Sequence, residues 1–185
     1  MKYFTSVKFA TLLALSTSTH ASDYTYIDYA LGATDPESTS ASGEYSSLSG
    51  SFEMQNRAFI AFQSNNYEDD RRYDIDITAL GIGAYVDSGI RTDLYGLVQL
   101  VKTDLGNHED TGFRITIGLR SSISSNIELA VKIKHEDVYR DTSKSYAAEL
   151  RYYLTPDFSA GASYETADIN GSEMNTLYGS LRLNF

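Results

Sequence analysis

Gly112–Asp137 reads GFRITIGLRSSISSNIELAVKIKHED, two alternating stretches on either side of a Ser-Ser-Asn reversal. Phe113, Ile115, Ile117 and Leu119 share one face of an extended chain, and Arg114, Thr116, Gly118 and Arg120 share the other. Beyond the reversal, Ile127, Leu129, Val131 and Ile133 alternate with Glu128, Ala130, Lys132 and Lys134. A period of two names strands, and the two stretches together make a hairpin. The polar face carries full charges on both strands, so whatever lies behind it is not a dry core.

The next hairpin repeats the pattern. Tyr146, Ala148, Leu150, Tyr152 and Leu154 oppose Ala147, Glu149, Arg151 and Tyr153; then Phe158, Ala160, Ala162 and Tyr164 oppose Ser159, Gly161, Ser163 and Glu165. The reversals share a frame: Ile123-Ser-Ser-Asn-Ile127, Leu154-Thr-Pro-Asp-Phe158 and Val86-Asp-Ser-Gly-Ile90. A type I turn followed by a left-handed residue suits it, with Pro156 presetting φ and Asn126, Asp157 or Gly89 accepting φ > 0. A fourth tight reversal is expected at Gln55–Arg57. Between these turns stand longer charged connections: DPESTSASGE, NNYEDDRR, TDLGNHED, HEDVYRDTSK and DINGSE.

Composition narrows what such a chain can be. Its 185 residues suffice for one domain, and it has no cysteine, hence no disulfide framework, thiolate metal site or thiol nucleophile. Fifteen tyrosines, eight phenylalanines and two prolines favour strands. Lys2 and Lys8, the apolar run Phe9–Leu15 and Thr19-His20-Ala21 form a secretory signal peptide over residues 1–21, cleaved before Ser22. The run is far shorter than the roughly 20 residues of a spanning helix. Without the leader's two lysines, 13 basic side chains remain against 25 acidic ones, a net −12. That charge argues against nucleic acid as a partner.

An exported, strand-rich chain with no apolar helix is a soluble β-protein or a membrane barrel. Strict alternation of short turns with longer polar loops favours the barrel, with turns on the periplasmic side. The reading is all-β: a ten-stranded antiparallel transmembrane β-barrel over residues 22–185. Strands are expected near 24–33, 44–54, 57–64, 73–86, 91–103, 112–122, 127–135, 145–154, 158–167 and 175–185. Merging two of them would give eight. The second offers only Leu48, Gly50 and Phe52 to lipid. The fourth conflicts with itself, Ile75 and Ile77 against Leu80, Ile82 and Val86, which a β-bulge near Ala79 would reconcile.

The chain closes on YGSLRLNF, with Leu181, Leu183 and Phe185 on one face and Ser180, Arg182 and Asn184 on the other. This resembles outer-membrane barrel proteins, whose aromatic-ended last strand is a recognition signal for the barrel-insertion machinery; Tyr178, Leu181, Leu183 and Phe185 match it, with Ser180 where a glycine is usual. In layout the chain also resembles small opacity-type barrels and the ten-stranded family labelled quorum-sensing-linked outer-membrane proteins. The resemblance brings no assigned chemistry.

On this reading the lumen holds Asp28, Glu53, Arg57, Arg114, Arg120, Glu128, Lys132, Lys134, Glu149, Arg151, Glu165 and Arg182, because each Arg or Lys facing mid-membrane lipid would cost about 2–4 kcal/mol. Mixed signs in a small barrel suggest a charge-paired, mostly closed interior. Phe52, Tyr152, Phe158 and Phe185 near the turns, and Phe113, Tyr146 and Tyr164 near the loops, are expected as aromatic girdles. His108 and His135 sit beside carboxylates in GNHED and KHEDVY. Adjacent residues on a strand point to opposite faces, so neither triplet is a ready dyad. No catalytic residue, metal site or cofactor is assigned. The expected protein is a monomeric, non-enzymatic barrel of the outer membrane. Its expected contacts are lipid and lipopolysaccharide, and its roles envelope integrity, adhesion or surface interaction. A narrow small-solute channel is the alternative, and a lipid- or peptide-hydrolysing barrel the remoter one.

Overall fold

The computed structural model describes residues 24–36, 43–69, 74–89, 91–106, 108–138, 141–169 and 172–185. They form ten strands: β1 (Tyr26–Pro36), β2 (Gly43–Glu53), β3 (Ala58–Asp69), β4 (Asp74–Gly89), β5 (Thr92–Asp104), β6 (Glu109–Ser122), β7 (Ile127–Val138), β8 (Asp141–Tyr153), β9 (Phe158–Ile169) and β10 (Ser172–Asn184). Each pairs antiparallel with its sequence neighbours, and β1 pairs with β10 to close a barrel. The count is ten, not eight. The leader over residues 1–21 and the tips of the loops lie outside the described residues.

Closure leaves no edge strand, so every ladder group of the first and last strands has a partner. Tyr26 stands opposite Asn184 and Pro36 opposite Met174. The last residue is held too, the Phe185 amide donating to the Thr25 carbonyl at 3.2 Å.

Alternation sorts side chains to two faces with opposite chemistry. The outer face exposes Ile82 (66%), Leu177 (63%) and Ile117 (57%), whereas Arg151 and Glu128 inside are each 1% exposed. Apolar outside and charged inside is the reverse of a soluble domain, and only surrounding hydrocarbon makes it stable. Two inward glycines shape the wall. A Cβ at Gly83 would lie 2.4 Å from the Phe59 ring, and one at Gly118 equally close to the Tyr95 ring. Each glycine thus leaves room for the ring standing across the ladder from it.

Three local expectations are corrected. No bulge occurs near Ala79: β4 pairs continuously with β3, and its register shift falls between Asp87 and Gly89. Ile75 and Ile77 therefore simply face inward at the loop end, where β4 stands clear of the apolar band. Second, Asn126 and Asp157 do not take positive φ; among the described residues Asn56, Arg57, Arg91, Gly89 and Gly106 do. In the Ser124 and Thr155 turns a hydroxyl replaces the left-handed residue. Ser124 Oγ accepts from the Ile127 amide at 3.1 Å, and Thr155 Oγ1 from the Phe158 amide at 3.1 Å. Third, the charged connections are largely ladder. β7 and β8 stay paired out to Val138 and Asp141, so every described residue of HEDVYRDTSK is strand.

Candidate functional site: the barrel lumen

Nearest the turns, the lumen is filled by rings. Tyr24, just before β1, is stacked on Tyr85 (centroids 4.3 Å apart) and Phe59 (4.8 Å), with Tyr95 edge-on at 6.2 Å. The Arg120 guanidinium caps the Tyr24 ring at 4.5 Å. Beside this cluster the Tyr85 hydroxyl donates to Glu53 Oε1 at 2.5 Å.

Above the rings lies a belt of six charges. Asp28 Oδ2 accepts from Arg151 Nη2 at 2.6 Å and Arg182 Nε at 2.8 Å. Glu149 Oε1 accepts from Arg151 Nε at 2.7 Å and Arg182 Nη2 at 3.4 Å. Glu128 Oε1 lies 3.4 Å from Arg120 Nε and 3.8 Å from Arg182 Nη1, while its Oε2 accepts from the Tyr153 hydroxyl at 3.2 Å. Arg151 also donates to Ser159 and Ser180. β1 and β8, or β7 and β10, are not sheet neighbours, so these bonds cross the bore as chords. Three arginines answer three carboxylates; Arg151 and Arg182 are each shared between carboxylates, while Arg120 has Glu128 and the faces of the Tyr24 and Tyr26 rings.

Toward the loops come two further pairs. Arg114 Nε donates to Glu136 Oε2 at 2.6 Å and Arg114 Nη1 to Gln63 at 3.0 Å. Lys134 Nζ donates to both Glu165 oxygens, at 2.7 and 2.8 Å. Tyr45 forms a second aromatic layer, its ring centroid 5.0 Å from those of both Tyr67 and Tyr178. Two cavities stand out among the described residues of the lumen. One, of about 90 Å³, is lined by Asp28, Glu128, Glu149, Arg120, Lys132 and Arg182 among others. The second, of about 110 Å³, is lined by Arg120, Lys132 and Lys134 and by no carboxylate.

Of the charges expected inside, Asp28, Arg120, Glu128, Glu149, Arg151 and Arg182 meet in the belt, Arg114, Lys134, Glu165 and Lys132 lie above it, and Glu53 sits at the turn-end rim. Arg57 is the correction. Alternation places it inside, yet it belongs to the reversal before β3 with φ 61°. There its half-exposed side chain pairs with Asp87 at 2.6 Å, outside the bore. Two lumen acids escaped the sequence reading. Asp93, buried at the start of β5, follows a turn, and Glu136 stands in a stretch that reads as loop. The inward tyrosines were missed because an apolar ring on the polar face gives no contrast; parity along each strand was the available signal.

Phe52, Phe113, Tyr146, Tyr152, Phe158, Tyr164 and Phe185 all lie exposed on the outer surface. Leu181 and Leu183 point outward with Phe185, whereas Tyr178 points inward against Tyr45. His135 is exposed on the outer face while its neighbour Glu136 turns inward to Arg114, and His108 is exposed at a loop. Among the described residues no cluster of His, Asp and Glu could hold a metal ion.

No protein-family model matches the chain, and none of the curated proteins matches it in sequence. Solved structures do match in fold. The NanC porin superposes with a TM-score of 0.56 at 17% identity, covering 86% of this chain and 100% of its own. An outer-membrane channel from Pseudomonas putida F1 gives 0.53 at 7%, covering 94% and 100%. The KdgM porin gives 0.51 at 9%, covering 86% and 99%. The chain is an outer-membrane β-barrel. At these identities the likeness is one of fold, and function rests on the lumen.

Proposed function

We infer that this barrel is a non-enzymatic protein of the outer membrane whose lumen is sealed, working through its outer surface and loop end in envelope integrity, adhesion or surface interaction. The observation that carries it is the seal itself: six ion-paired side chains crossing the bore, with the Tyr24 stack beneath them. Passage of even a small ion would require parting desolvated ion pairs, which is costly when either partner is left bare. His135 lies on the outer face and Glu136 faces Arg114 in the lumen, so the two do not form a paired base and carboxylate. The outward aromatic rows would contact lipid and lipopolysaccharide, and the opacity-type barrels are the group it would join. The protein would act as a monomer after delivery by the insertion machinery.

Planar-bilayer recording tests this. The refolded wild type is expected to give no steady unitary conductance, and stable channel steps would overturn the reading. A narrow small-solute channel is the second reading, favoured by the porin-like fold and by the unfilled space above the belt. It requires the Tyr24 stack to move, so it predicts conductance that appears on applying voltage and depends on residue 24.

A further inference from the structure

The two lumen cavities differ in charge balance, and the difference points to a ligand. The smaller is lined by three cations and three carboxylates. The larger has Arg120, Lys132 and Lys134 in its wall with no acid beside them. Two of those cations are already answered, Arg120 by Glu128 and Lys134 by Glu165. Lys132 is different. It has electrostatic neighbours in Tyr178, Tyr95, Glu165 and Glu149, but no ion pair or hydrogen bond joins its ammonium to any described residue. Both nearby carboxylates are engaged elsewhere, Glu165 by Lys134 and Glu149 by Arg151 and Arg182. Lys132 thus reaches a walled space with no ion pair or hydrogen bond of its own to any described residue, and its ammonium is open to an entering anion.

The rest of the wall defines the anion. Its floor is apolar, made by Tyr24, Phe59, Tyr95 and Leu97, and Gln63 and Gln99 add amides beside it. A volume of about 110 Å³ holds several waters or one small organic molecule. We propose that the lumen binds a small organic monoanion there, a carboxylate whose head pairs with Lys132 and whose single-ring or short apolar body lies on the Phe59–Tyr95 floor. A dianion would bring a second negative charge toward Glu165 and Glu149, which already act on Lys132. A neutral analogue would leave Lys132 as bare as before. The proposal rests on the sealed turn end, since Tyr24 closes the floor.

Benzoate is the probe, titrated into the detergent-folded full-length barrel by calorimetry, with benzamide as its neutral counterpart. Saturable binding of benzoate with none of benzamide is expected. Lys132→Met should weaken benzoate at least about tenfold. Ala61→Leu, which fills the cavity without touching the charge, should weaken it similarly. Heat-modifiable gel migration reports that each variant has folded, and Ala61→Leu decides the matter should Lys132→Met fail to fold. No saturable heat with the wild type, equal binding of benzamide, or wild-type affinity in the folded variants would overturn the proposal. Conductance is not read here, so an empty cavity and a leaky barrel are told apart.

Discussion

The turn-end and loop-end halves of the lumen use the same residue types to different effect. Toward the turns, Arg151 and Glu128 are each 1% exposed and every charge of the belt has two or more partners. Toward the loops pairing is one to one, Arg114 with Glu136 and Lys134 with Glu165, and Lys132 has no ion pair among the described residues. Exposure does not separate the halves, since Glu149 in the belt keeps 14% and Arg114 only 5%. Ion pairs gain strength from exclusion of water, but only as a network in which no member is left alone. The first half is therefore a lock of shared charges, the second a set of separate pairs.

The comparison can be broken most readily at Arg151. Arg151→Ala removes a partner from both Asp28 and Glu149 and should cost about 3–5 kcal/mol in urea unfolding followed by gel migration. A loss no greater than that of a loop-end variant would erase the distinction between the halves. Next, Tyr24→Ala empties the turn-end stack; a loss of about 3 kcal/mol is expected, while the belt still crosses the bore and planar bilayers stay silent. Tyr45→Ala, in the upper aromatic layer, should be equally silent. Steady conductance from Tyr24→Ala alone would mean that the rings, not the belt, close the bore. Glu136→Gln sharpens the loop-end side: buried Arg114 keeps its bond to Gln63 and a neutral acceptor at position 136, so a loss near 2 kcal/mol is expected by the same unfolding assay. Arg57→Ala should move stability by less than about 1 kcal/mol, since its pair with Asp87 is half exposed. A larger loss would place Arg57 in the structural network after all.

Much of the fold was readable because a strand enforces its own rule. Once Phe113 to Leu119 are taken as outward, the pleat puts Arg114 and Arg120 inside, with no further information needed. The rule failed where the backbone left the pleat. Arg57 has inward parity but sits in a left-handed turn, and Glu136 was read as loop although β7 carries it. The hydroxyls of Ser124 and Thr155 likewise did what a positive-φ Asn or Asp was expected to do, because either device satisfies the same turn amides. Loop length was overestimated since charged residues pair in a ladder as readily as apolar ones once it stands in water.

The chain's alternation by itself determined ten strands, their order around the barrel, and which side chains meet lipid and which meet the bore, since each follows from local geometry and a closed edge. Only the tertiary structure decided which charges find one another. Asp28 and Arg182 stand 154 positions apart yet bond at 2.8 Å, and Arg151 reaches Asp28 across strands that never touch. The first pair is set face to face where β1 closes on β10, and the second crosses the bore. Both depend on the stagger with which the barrel closes, a property of the whole sheet that no single strand encodes.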